Sequence, residues 1–470
     1  MDEVEPLRPA SADAYSPQRR TALVLTGTGT AGAYHAGVLR ALHEAAVKID
    51  VVAGHGIGVL GALFAAIDGA ESLWNEKGFW RGPAVGSLYP WRLMLRATTW
   101  ALALSVGLVA VPITAVAIGL LVYPIDFVAK MMGLGGTNDL IGAYLRFLHA
   151  AFAPQVLPTW LPRLVVLVLG LVGVLALATG WMRVAPRRHQ GPFWWRVVRS
   201  PLSAAAASDR CWRVMWDRVR GAAQLKQPPA VELARRYTEM LGENLGQPGF
   251  RELLLAVHDL DAHRDLIVAL VEESRRSALM RRPTSEAAEE RRAELFDLAG
   301  VARDYLVDFI GAAFAVPLVT DAHPLRFAPD GYWRGETHRL CDRPASLARI
   351  IEELAALGTE QILIVSAAPE TRGPHTLARP RLDGRGRIGE YLQSTEAAVV
   401  RDAAGTAAAR RIRMFSIRPA HNPIGPFDFS GGFDDRSDRR QRLDELLGRG
   451  YEDAYHQFIE PVWGKSDVRP

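Results

Sequence analysis

The stretch VVAGHGIGVLGALFAA, residues 51–66, decides the fold class. Val51-Val52-Ala53 is a short apolar strand, Gly54 to Gly58 is a tight turn, and Val59 to Ala66 is a helix of small residues. Strand, turn and helix in that order form the setting of a G-x-S-x-G nucleophile elbow, which lifts a serine above a sheet. Here the central position is Gly56, so the turn has no side chain with which to attack. His55 is adjacent, but elbow geometry is expected to point neighbouring side chains elsewhere.

Upstream, the strand Thr21 to Leu25 runs into Thr26-Gly27-Thr28-Gly29-Thr30-Ala31-Gly32 and a helix through Gly37. Gly27, Gly29 and Gly32 satisfy G-x-G-x-x-G between a strand and a helix. A dinucleotide site would also need an acidic residue closing the second strand, to hold the ribose. That strand ends in Gly54-His55, with Asp50 before it. The other reading is an oxyanion loop. Backbone N–H groups of Gly27, Gly29, Thr30, Ala31 and Gly32 would face an anion at a helix N-terminus. Only this reading accounts for the elbow as well. Thr26, Thr28 and Thr30 read as turn formers rather than nucleophiles.

The rest of the chain adds a membrane signature. Residues 98–125 are uncharged and rich in Leu, Val and Ala, and so are residues 164–182. Each suffices as a helix for a hydrocarbon core of about 20 apolar residues. Pro112 is expected to kink the first span. Trp100, Tyr123, Trp160 and Trp181 lie near the ends, as interface anchors do. Arg81, Arg92 and Arg96 precede the first span, and Arg183, Arg187, Arg188, Arg196 and Arg199 follow the second. The connecting segment carries Lys130, Arg146 and Arg163 against Asp126 and Asp139. The positive-inside rule then predicts a two-span hairpin in an inner (cytoplasmic) membrane, with the main domain and both termini cytoplasmic. The polar N-terminus lacks the apolar core of a secretory signal. Net charge is +4 in 470 residues, without basic runs interleaved with aromatics, so nucleic acid is not an expected partner. Two cysteines, Cys211 and Cys341, supply neither a disulfide framework nor a metal set, and point to a reducing compartment.

The predicted organisation is a flexible tail over 1–18, a first part of the main domain over 19–90 and a transmembrane hairpin over 91–190, with spans at about 97–125 and 164–182. A helical insertion over 191–300 and a second part with a C-terminal helix over 301–470 complete it. Ser285 after Pro283 is placed as a helix cap, HPLRFAPDGYWRGE as a turn-rich segment, and QILIVSAA and RRIRMFSIRP as strands. The C-terminal helix is expected to break at Gly448 or Gly450. Asp428, Asp434, Asp435 and Asp438 lack the spacing of a Ca²⁺ loop and read as a solvated turn. The aromatics between glycines in HNPIGPFDFSGG are expected to pack over the cleft.

GTGTAGAYHAGVLRAL and VVAGHGIGVLGALFAA together resemble the glycine-rich loop and elbow of the patatin-like phospholipase family. The resemblance covers about residues 19–80 and 300–368. It implies an α/β, three-layer fold with a largely parallel sheet, interrupted here by the transmembrane hairpin and the helical insertion. The family hydrolyses lipid acyl esters with a Ser–Asp dyad, its Asp lying in a D-G-G or D-G-A motif ahead of a helix and a strand. Cys341-Asp342-Arg343-Pro344 followed by SLARIIEELAALG and TEQILIV fits that order, so Asp342 is matched to the family's Asp; Asp330 in PDGYW is a competitor further upstream. Gly56 stands at the position of the family's Ser, and Arg343-Pro344 replaces the glycines after Asp342.

The resemblance and the two apolar spans together lead to the expectation of a membrane-anchored protein with a degenerate Ser–Asp dyad, lipid-binding or regulatory, and inactive as a standard serine hydrolase. Membrane lipids are its expected partners, with a protein partner beside them; no cofactor or metal is expected. The alternative is an active lipid acyl hydrolase using another nucleophile or a water activated by Asp342. A nucleotide-binding membrane regulator is the second alternative.

Overall fold

A computed structural model describes residues 15–133, 140–151, 161–181, 200–280, 293–370 and 383–463. The 1–18 tail up to residue 14, Trp160, the five arginines from Arg183 to Arg199, and the Pro283–Ser285 cap lie outside these residues. The chain divides into two units, Met1–Pro90 with Leu202–Pro470, and Trp91–Pro201.

The first unit is an α/β layered domain. Its sheet contains β1 (Thr21–Thr26), β2 (Val51–His55), β3 (Glu252–Asp259), β4 (Arg264–Leu270), β5 (Leu295–Asp297), β6 (His323–Arg326), β7 (Thr337–Cys341), β8 (Gln361–Ser366) and β9 (Arg413–Ile417). The path runs β5-β4-β3-β2-β1-β8-β9, with β7 pairing β3 and β6. From β9 through β8, β1 and β2 to β3 every pairing is parallel. The central strands are apolar throughout because both faces are covered. Alternation along β1 sends Leu23 and Leu25 to one core, and Ala22 and Val24 to the other. The first core is closed by α1 (Ala31–Glu44), α2 (Gly58–Ala66) and the helix Leu443–Ala454. The second is closed by helices Ser346–Ala356 and Gly384–Ala409.

Several expectations change here. Among the described residues, the predicted helical insertion over 191–300 contains helices Ala205–Arg220, Ala230–Asn244 and Glu273–Met280, but it also contains β3, β4 and β5. β3 lies directly beside β2, with Ala53 opposite Leu254, so this segment builds the central sheet rather than decorating it. ELLLAV is a short continuous apolar run, and periodicity alone does not separate such a run from a buried helix. HPLR is strand β6, paired with β7, not only turn. The C-terminal helix does not break at Gly448 or Gly450. It continues from Leu443 to Ala454, and a Cβ on Gly450 would collide with the Tyr34 carbonyl. That glycine allows two helices to cross closely instead of ending one.

The second unit contains helices Leu93–Met131, Leu140–Ala151 and Leu161–Trp181. The first and third pack together, and Tyr144 donates to the Ala115 carbonyl at 2.7 Å. The long helix passes through Pro112 and Pro124 without a break. Among the described residues one segment, Ile113–Met131, is long and apolar enough to cross a membrane. Leu93–Gly107 of the same helix, overlapping the predicted first span at 97–125, and Arg163–Leu177, overlapping the predicted second span, are shorter apolar segments. Apolar side chains here face outward: Trp100 is 74% exposed and Leu120 is 72% exposed.

Candidate active site

The glycine loop and the elbow follow β1 and β2, so they emerge at the same end of two neighbouring parallel strands. This is where open α/β sheets place ligands. Gly56 has φ +56°, the left-handed conformation of an elbow residue, which costs an L-residue roughly 1–3 kcal/mol. The elbow is held against the loop by the Ile57 N–H, which donates to the Gly27 carbonyl at 2.9 Å.

Asp342 follows β7 and comes directly to this turn. Its N–H donates to the Ala315 carbonyl at 2.8 Å. A Cβ built on Gly56 would lie 2.7 Å from Asp342 Oδ2 and would collide with the Gly27 carbonyl oxygen. The structure thus brings together Gly56, Asp342 and the loop residues. Asp330 instead lies exposed in the turn between β6 and β7. Arg343 turns away toward Asp265, 3.6 Å from its carboxylate.

His55 does not point elsewhere. Its Nδ1 donates to Asp342 Oδ1 at 3.0 Å, and its Nε2 lies 2.6 Å from Thr26 Oγ1. A carboxylate only accepts, so Nδ1 carries a proton and the Nε2 of a neutral ring accepts from the Thr26 hydroxyl. Burial alone would push the His55 pKa down. The hydrogen bond and charge of Asp342, with help from Glu396, outweigh burial and hold it above the ordinary value. His35, also buried, is pushed down to about 3, chiefly by desolvation, and its Nε2 sits 3.0 Å from the Thr26 carbonyl.

Glu396, on helix Gly384–Ala409, reaches the other side of the loop. Its Oε1 accepts from Ser366 Oγ at 2.5 Å and would be 3.1 Å from a Cβ on Gly27. Burial, only partly offset by Ser366 and His55, pushes its pKa up to about 7. Nothing in the sequence marks Glu396; its place is set by packing between a helix and the loop. Among the described residues no group of three or more His, Cys, Asp or Glu side chains gathers to hold a metal.

The proposed oxyanion loop does not face open space. The Thr30 N–H donates to the Pro426 carbonyl at 2.9 Å, and Thr30 Oγ1 donates to the Gly425 carbonyl at 2.8 Å. Gly29 has φ +58°, and a Cβ there would strike Pro426. Phe427 and Phe429 pack against Tyr89, with ring centroids 5.8 and 5.6 Å apart. This segment, 424–429, is a strap over the loop, and all of Thr26 to Gly32 is buried. The strap is fastened by Arg385 to Asp428 at 2.9 Å, and by the Asp428 carboxylate to the Gly425 N–H, also at 2.9 Å. Asp428 and Asp434 are buried rather than part of a solvated turn. Burial works against the Asp434 charge, but donors from His421, Arg436 and Ser437 hold its pKa down to about 2. A carboxyl reads as solvated until the donors around it are known, and those come from the strap's own fold.

No curated protein matches the sequence. The structure has a weak likeness to the crystal structure of VipD from Legionella pneumophila, with a TM-score of 0.30 and 12% identity, covering 96% of this chain and 67% of that one. The informative match is local: residues 23–111, which hold both the glycine loop and the elbow, match the model of the patatin-like phospholipase family.

Proposed function

We propose that this chain is a membrane-anchored patatin-like protein of the lipid acyl hydrolase family with a degenerate dyad, serving lipid binding and regulation rather than serine-based hydrolysis. One observation carries the reading. Gly56 lacks the nucleophile, and the space beside it is taken by the Asp342 carboxylate and the Gly27 carbonyl. Without the nucleophile, oxyanion donors and binding retain only a small part of a hydrolase's rate. The outward apolar face of the second unit and the Ile113–Met131 segment support membrane attachment, and the arginine-rich flanks of the two predicted spans support a main domain on the cytoplasmic side of an inner membrane.

The test uses the purified full chain with phospholipid vesicles. Co-flotation with vesicles and no ester turnover sensitive to Asp342→Asn are expected. Turnover by the wild-type chain that disappears in that variant overturns the reading. A second reading, hydrolysis with another group, is favoured by one specific observation: His55 joins Asp342 to the Thr26 hydroxyl.

A further inference from the structure

We propose that Thr26 is a latent nucleophile for lipid acyl esters, with His55 as its base and Asp342 as the residue that positions His55. Three separate segments converge to make this line. Thr26 closes β1, His55 closes β2, and Asp342 follows β7. The contacts run in the order required of a nucleophile, a base and an orienting carboxylate: Thr26 Oγ1 to His55 Nε2 at 2.6 Å, then His55 Nδ1 to Asp342 Oδ1 at 3.0 Å. All three are buried, at 1%, 1% and 2% exposure. A fully desolvated Thr–His–Asp line is an expensive way to fill a turn that has lost its serine. Thr26 also directly precedes Gly27, so the loop's N–H donors begin at the next residues.

The step balances with water as the second reactant. Thr26 Oγ1 attacks the ester carbonyl carbon while its proton passes to His55 Nε2. The ester C–O bond breaks, and that proton goes to the departing alkoxide, leaving the acyl group on Thr26. Water then attacks, giving its proton to His55 as the acyl–threonine bond breaks. His55 returns the proton to Thr26 and a fatty acid is released. The strap at 424–429 must leave first, because it covers the loop and its Pro426 carbonyl takes the Thr30 N–H. This chemistry rests on the lipid acyl reading of the site but not on the resting protein being active.

The experiment starts from a full-length chain with the strap loosened by Arg385→Ala and Phe429→Ala, presented with phospholipid vesicles. Free fatty acid and the mass of the Thr26 peptide after a long-chain fluorophosphonate are measured. In that background, Thr26→Val is expected to cut acyl release at least ~100-fold, while Thr26→Ser retains it. The phosphonate mass is expected on Thr26. Three results overturn the assignment: an adduct on Ser366, acyl release unchanged by Thr26→Val, or neither release nor adduct in a strap variant that folds and floats with vesicles. Failure to float, with a Thr26 adduct present, would count against the membrane reading and not against this one.

Discussion

Two turns at one end of the sheet have been closed in different ways. The turn after β1 is shut by a contact: the Pro426 carbonyl, nearly four hundred residues away in the chain, sits on the Thr30 N–H. The turn after β2 is shut by composition: Gly56 has no side chain, and neighbours occupy the space where one would start. The first closure can be undone by moving a segment. The second can be undone only by changing residues and repacking the turn. One end of a sheet can therefore be closed by composition at one turn and by a distant segment of the chain at the other.

The comparison can be broken most forcefully at Gly29. Gly29→Ala combines a positive φ with a Cβ driven into Pro426, and should cost at least about 3 kcal/mol in thermal or denaturant unfolding. A loss below about 1 kcal/mol would mean the strap is loosely seated. Next is Glu396, beneath the same loop. Its folded pKa is raised from 4.5 to about 7, so its contribution is complete below about pH 4.5 and is lost as pH rises to about 7. Wild-type stability should fall across that window by an amount on the order of 3 kcal/mol, and Glu396→Gln should flatten the curve. Parallel urea titrations at pH 5 and pH 8 check both sign and size.

At the elbow, Gly56→Ser should cost about 2 kcal/mol and should not create fluorophosphonate labelling at position 56. Labelling there would show that restoring the side chain alone undoes the second closure, without repacking of the turn. The smallest effect belongs to Arg385→Ala. Its half-exposed ion pair with Asp428 is worth at most about 1 kcal/mol of stability. Hydrogen exchange over 424–429 should nevertheless rise in this variant, and unchanged protection would place the fastening elsewhere.

What could be read from the sequence was local. The strand–loop–helix at Thr21 to Glu44 and the elbow at Val51 to Ala66 are legible because turn chemistry and helix starts are set within a few residues. Asp342 is singled out by its order before a helix and a strand, both of which exist, and it lies beside Gly56. The contacts of His55 with Thr26 and Asp342 are not legible locally, because the direction of the His55 ring depends on where Asp342, far along the chain, comes to lie. β3 was missed because ELLLAV has no period of its own. Glu396 and the Pro426 contact have no local signature: each depends on a helix or loop arriving from far along the chain.

The 39-residue helix Leu93–Met131 has a consequence of scale. At 1.5 Å per residue it is about 58 Å long, against roughly 30 Å of bilayer hydrocarbon. Its 21-residue neighbour Leu161–Trp181 is about 32 Å long and matches that thickness. Tilting cannot remove the excess: even at ~40°, the steep end of the usual range, the long helix still rises about 44 Å along the membrane normal. Under the proposed attachment, at least about 14 Å of it stands outside the hydrocarbon. The unit then behaves as a post of fixed reach, whose height above the acyl chains changes with the thickness of the membrane that holds it.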